Sequence, residues 1–346
     1  MFYKAKEAFF REIGASYEGY PLGHLFLENS YTPGEFISYL KRWIVTSDDI
    51  MKIFKEMDGY SGQLTPELNL YSNSVKDGTF FEIYSQLTEF ICEIFGKTQV
   101  SYAGAKEVFC EEFIPFFLDS GSRVILIIRD PRDVLTSINF GKGEKYVGKG
   151  LPTLYILRNW RKSVAFALAY KDNPRFFFIK YEDLVRDIKF QLQRITDFLC
   201  LEHFSEEQLR ERILEQHGSV WKSNSSFEPS ESINSSSIGI FRQKLSKEIV
   251  KYVESICYPE IVAMGYEPAV CLSWASEKTI KKFKEPFEMG LKSIPADYSM
   301  QAENIQNEIK RLRFLLGTAV LKEKRLWFLF PIVYDLLKCA VSQKRV

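Results

Sequence analysis

The sequence predicts an α/β fold built on a parallel sheet, with a helical extension at its carboxyl end. Two short apolar runs, "RVILII" (123–128) and "RFFFIKY" (175–181), flank a long helical stretch. A strand, a helix and a second strand in that order form a parallel unit. Neither run alternates apolar with polar residues, so both are expected to be buried on both faces. With 346 residues, 46% of them hydrophobic and 15% aromatic, the chain can bury one large core or two modest ones.

The elements follow in order from periodicity and punctuation. "FYKAKEAFFREI" places Phe2, Tyr3, Ala5, Phe9 and Ile13 on one side of a helix. It has no uninterrupted apolar stretch and is neither a signal peptide nor a membrane span. Helices are expected over Glu35–Met57, behind the turn "TPG", and over Thr79–Phe95, with no obvious strand among the first hundred residues. "EVFCEEFIPFFLDSG" reads as a helix ending at Gly121. After the first strand come a helix from about Arg132, a Gly/Lys loop (140–150) and a helix over Thr153–Lys171. After the second strand come helices over Ile188–Cys200 and Glu206–Gln216, a polar loop (223–237) and a helix from Lys247. The composition changes after Pro268, which sets the expected boundary between a domain over 1–268 and a helical extension over 269–346. Within the extension, "RLWFLFPIVYDLL" is nearly all apolar and flanked by Lys324, Arg325, Lys338, Lys344 and Arg345. It is too short and too interrupted to span a bilayer, which leaves docking on the core or lying at a membrane surface.

Charge and cysteine usage exclude some functions. Lys and Arg total 46 against 45 Asp and Glu, a net charge of +1. A diffuse electrostatic grip on nucleic acid is therefore not expected, and any anion must be held by local clusters. The six cysteines are scattered without a CxxC pair, which argues against a zinc site and a disulfide framework. Free thiols in a reducing compartment are the plain reading, and the expected location is cytoplasmic, with membrane association open through 324–346.

Three stations carry the candidate chemistry. The first is "IIRDPRDVLTS" (127–137), at the carboxyl end of the first strand, where ligands of open parallel sheets bind. The Arg129 fork and the Ser137 hydroxyl could grip one anion from two sides. Alternatively, Asp130 and Asp133 pair with Arg132 in an ion-pair knot that caps the strand. The second station is Tyr181, at the end of the second strand, placed either to stack on a base or to pack in the core. The third is "SIGIFRQKLSKE" (237–248), with Gly239, Arg242 and Lys244, a loop able to close over a phosphate or simply a basic loop.

In this order the stations resemble the sulfotransferase family that uses 3′-phosphoadenosine-5′-phosphosulfate. "IIRDPRDVLTS" is similar to its 3′-phosphate motif, and the resemblance implies that Arg129 and Ser137 bind that phosphate. "FIKYEDLVRD" (178–187) is similar to the adenine-side segment that carries Tyr181, and "IGIFRQKLS" to the closing loop. Ile240 and Phe241 stand where the family usually shows Arg and Trp, which leaves Arg242 and Lys244 as the phosphate candidates of that loop. "AGAKE" (103–107) falls about where the family has a lysine near the sulfuryl group, which nominates Lys106 as catalytic. No histidine stands beside a station, and the general base is unassigned.

The resemblance covers Ser101 to Pro268. It implies a P-loop NTPase-like three-layer parallel sheet and transfer of a sulfuryl group to a hydroxyl or amine of a small molecule, lipid or glycan. No metal is implied, because arginine, lysine and amide donors neutralise the developing charge. The family's first strand and glycine-rich phosphosulfate loop are not found in the sequence; "GYPLGHLF" (19–26) lacks the hydroxyls and the basic residue. Two expectations follow: either the loop lies upstream of Met1, or the chain is a catalytically inactive homologue that binds a nucleotide or a partner. A nucleotide kinase would need a glycine-rich loop of its own and a magnesium-ordering carboxylate, and the Arg129/Ser137 pair fits a 3′-phosphate better.

Overall fold

The computed structural model describes residues 1–14, 32–58, 66–96, 100–141, 150–205, 208, 233, 235–270, 277–288, 294–317 and 328–343. All but residue 208 of the expected helix over Glu206–Gln216, most of the loops at 140–150 and 223–237, and "GYPLGHLF" lie outside these residues. The chain divides into two compact units, one of Met1–Tyr17 with Tyr31–Phe116, the other of Glu18–Ser30 with Phe117–Val346.

The first unit is helical around an aromatic core. It contains α1 (Phe2–Glu12), α2 (Pro33–Arg42), α3 (Ser47–Asp58) and α4 (Phe80–Phe95), with two-residue strands β1 (Ile44–Val45) and β2 (Gly78–Thr79). Phe113 meets Phe2 at 4.8 Å and Phe36 at 5.0 Å between ring centroids, both edge-on, the geometry that aromatic quadrupoles favour. Capping boxes start α2 and α4, in which Thr32 pairs with Glu35 and Thr79 with Glu82.

Two expectations are corrected in this unit. The helix read over Glu35–Met57 is interrupted at Trp43–Thr46, where Ile44 and Val45 pair antiparallel with Thr79 and Gly78. Thr46 then restarts the helix by accepting the Asp49 N–H at 3.2 Å, so a local cap overrides a continuous apolar period. The helix read from Glu107 begins instead with a 3₁₀ turn (Glu111–Phe113) that runs into α5 (Ile114–Asp119), on which the chain passes into the second unit. Phe109, at φ 57°, holds the left-handed conformation that a right-handed helix excludes.

The second unit carries the parallel pair. Strands β3 (Val124–Ile128) and β4 (Phe176–Lys180) are paired parallel, with Val124 opposite Phe176 and Ile128 opposite Lys180. Between them run α6 (Pro131–Phe140) and α7 (Thr153–Tyr170). After them come α8 (Tyr181–Arg186), α9 (Ile188–Leu199), α10 (Phe241–Lys244) and α11 (Lys247–Ala263). The expected burial of β3 on both faces is corrected. Leu126 and Ile128 face the core, whereas Ile125 and Ile127 are 38% and 53% exposed. Among the described residues the parallel sheet has two strands, so β3 has an open edge and an incompletely covered second face.

Residues beyond Pro268 share this core. They form α12 (Glu277–Lys282), α13 (Ala302–Leu315) and α14 (Pro331–Gln343). Ile309, Leu312, Val333 and Leu337 are buried in one cluster with Leu154 and Leu157 of α7 and Val253 of α11. Polar contacts reinforce the packing. Glu285 accepts the Thr153 N–H at 2.8 Å and the Ser299 hydroxyl accepts the Leu154 N–H at 3.0 Å, satisfying donors that the start of α7 would otherwise leave orphaned. One carboxylate, Glu308, takes Arg158 at 2.9 Å and both Arg161 terminal nitrogens at 2.7 and 2.9 Å. Among the described residues, no helix is long and apolar enough to cross a membrane.

Candidate anion site

The first station folds as a strand end running directly into a helix. Asp130 caps α6 by accepting the Arg132 N–H, and Pro131 follows at the first helical position, a pairing that stops the strand and starts the helix in one residue. This turn sends Arg129 and Ser137 to the same place. Arg129 Nη1 donates to Ser137 Oγ at 3.0 Å across eight residues, and Nη2 donates to the Ser237 carbonyl at 2.6 Å. Arg129 Nε is buried and has no hydrogen-bond partner among the described residues. Its guanidinium carbon lies 4.7 Å from the centroid of the Tyr181 ring, a cation–π contact.

Tyr181, at the start of α8, donates to or accepts from Ser237 Oγ at 3.0 Å. All three stations therefore meet at Arg129 and Ser237. The loop of the third station is pinned by Asp133, which accepts the Gly239 N–H at 2.6 Å on one oxygen and the Phe241 N–H at 3.0 Å on the other. Arg242 and Lys244 are exposed on α10, and the Arg242 guanidinium lies 4.6 Å from the Phe241 ring. Lys106 is exposed in an irregular stretch of the first unit.

The two arginines of the motif do different work. Arg132 is 2% exposed; Nε and Nη2 bind Asp130, and Nη1 binds Glu254 at 2.6 Å and the Glu267 carbonyl at 3.0 Å. It ties α6 to α11. Burial opposes its charge, and the two carboxylates more than compensate, so its pKa is raised. The ion-pair knot foreseen for this motif is thus real for Arg132 and Asp130. Asp133 stands apart from it, bound to the loop instead. Burial raises the Asp133 carboxyl above its ordinary value, against the pull of the two N–H groups.

Sequence reasoning passed over three supporting residues. Glu182 accepts the Asp130 N–H at 2.9 Å and the Tyr266 hydroxyl at 3.0 Å, and burial raises its pKa. Trp160 of α7 donates its indole N–H to the Arg129 carbonyl at 2.7 Å. Ser237 supplies both its carbonyl and its hydroxyl. The signal for Glu182 was its place beside Tyr181 in "YEDL", and that for Ser237 its place at the head of "SIGIFRQKLSKE"; for Trp160 the sequence offered none.

Residues 108–265, which span all three stations, match the model of the sulfotransferase domain. Over this segment the chain is similar to the sulfotransferase domain. A curated relative, Sulfotransferase 2A6 of Mus musculus, is 31% identical over 98 residues, covering 25% of this chain and 34% of that protein. The match thus spans about a third of the relative's length. The Arg129–Ser137 contact lies within the matched segment itself.

Proposed function

We propose that the chain binds 3′-phosphoadenosine-5′-phosphosulfate through Arg129 and Ser137, on a P-loop-type frame, and transfers the sulfuryl group to a hydroxyl or amine. The reading rests on one observation: the Arg129 guanidinium is aligned on Ser137 Oγ, while its buried Nε has no partner among the described residues. A buried N–H without an acceptor costs about 1–3 kcal/mol. A phosphate oxygen is the acceptor that offsets this cost, and arginine donors suit phosphate because they bond in pairs. Tyr181, already in contact with Arg129, would offer its ring to the adenine, and Arg242 and Lys244 are the exposed cations of the adjoining loop.

The phosphosulfate would supply an activated sulfuryl group. The acceptor's O–H or N–H proton is lost, a new S–O or S–N bond forms, and the bond from sulfur to the bridging phosphate oxygen breaks. The products are a sulfate ester or sulfamate and 3′,5′-adenosine bisphosphate. Lys106 is assigned to the sulfuryl group on resemblance alone. Acceptors of this class are small molecules, lipids or glycans. Transfer of sulfur-35 from labelled donor to an acceptor pool tests the reaction; label that stays on the donor with every acceptor tried, although the bisphosphate binds, would leave a nucleotide-binding protein and overturn the transfer step.

A further inference from the structure

We infer that Asp133 is the positioning residue of the anion site: it fixes the loop that completes the Arg129 pocket without touching the ligand itself. The inference rests on the reading that Arg129 and Ser137 hold a 3′-phosphate, and goes beyond it by naming what sets that phosphate's selectivity.

Asp133 sits one helical turn before Ser137 on α6, 1% exposed. Its two oxygens accept from two N–H groups of one short segment, Gly239 at 2.6 Å and Phe241 at 3.0 Å. Converging backbone N–H groups are a common anion cradle; here an internal carboxylate occupies it. The cradle exists because Gly239 adopts φ +72°, open to glycine and strained for other residues. A Cβ there would also meet Arg242 Nη1 at 2.9 Å. With the far end of the loop fixed in this way, Ser237 at its near end presents its carbonyl to Arg129 and its hydroxyl to Tyr181. Asp133 therefore sets the position of the Arg129 fork through the loop, and the group that needs that fork is the 3′-phosphate.

Asp133→Asn keeps the volume but places an amide donor against one of the two N–H groups, so one hydrogen bond becomes a donor–donor clash. The test is calorimetric titration of the full chain with 3′,5′-adenosine bisphosphate and with 5′-AMP, which lacks the 3′-phosphate. In Asp133→Asn, affinity for the bisphosphate is expected to fall roughly tenfold or more while that for 5′-AMP changes less than about threefold. Gly239→Ala perturbs the same loop without altering α6, should give the same selective loss, and serves if Asp133→Asn does not fold. Equal losses for both nucleotides, or none, in the variant that folds would overturn the positioning role. A wild-type chain that binds both nucleotides equally would instead overturn the 3′-phosphate reading, and this inference with it.

Discussion

The Trp160 indole donates its N–H to the Arg129 carbonyl at 2.7 Å, so the residue proposed as the phosphate anchor is held through its backbone by the helix packed beneath β3. Trp160→Phe keeps most of the buried ring and leaves that carbonyl without its donor. It should cost about 1 kcal/mol in chemical denaturation and weaken binding of 3′,5′-adenosine bisphosphate several-fold. An unchanged affinity would show that the Arg129 backbone needs no such tether.

Glu308 makes the fold acid-sensitive. Burial works against its charge, but Arg161 and Arg158 outweigh that and hold its carboxyl well below the usual carboxylate range. A carboxylate depressed in the folded state contributes stability that is complete above its unfolded value, here about 4.5, and that is lost as pH falls through the folded one. Thermal melts from pH 6 down to about pH 3 should therefore show a fall that Glu308→Gln flattens. At neutral pH the same substitution should cost about 3–5 kcal/mol, because it leaves Arg158 and Arg161 buried without their counter-charge. Parallel pH profiles for the two proteins would contradict the assignment.

Leu337, fully buried on α14, tests whether the last helix belongs to the core. Leu337→Ala should destabilise the second unit by about 2–5 kcal/mol through lost burial and a cavity, read as a lowered unfolding midpoint. A change below about 0.5 kcal/mol, the usual size for surface sites, would mean that α14 is not docked in solution.

In the first unit, Thr79 starts α4 through a reciprocal pair with Glu82. Thr79→Ala should cost about 1 kcal/mol, measurable by urea denaturation. No measurable cost would show that neighbouring packing, rather than the cap, fixes the helix start.

Much of this arrangement was written locally in the chain. The β3–α6 turn could be read from "RDPRD" because strand end, cap and proline lie within a few residues, and the spacing of Arg129 to Ser137 anticipated that the two side chains meet. The partners that arrive from far along the chain were hidden: Ser237 reaches Arg129 across 108 residues, and no periodicity encodes that distance. The apolar run 124–128 looked doubly buried because its composition says nothing about how many strands flank it. Burial of Ile125 depends on neighbours, and the exposed face of β3 became visible only in three dimensions. The interruption at Trp43–Thr46 was missed for a related reason, since a two-residue strand leaves no pattern of its own and depends on Gly78 and Thr79 to pair with it.

The most direct test of the 3′-phosphate site is the thermal shift produced by 3′,5′-adenosine bisphosphate in wild type and in Arg129→Ala. At 100 times its dissociation constant the ligand should stabilise wild type by about 2.7 kcal/mol, while Arg129→Ala, with its unliganded melt nearly unchanged, should show no shift. Equal shifts in the two proteins, or none in wild type, would contradict the assignment of Arg129 as the phosphate anchor.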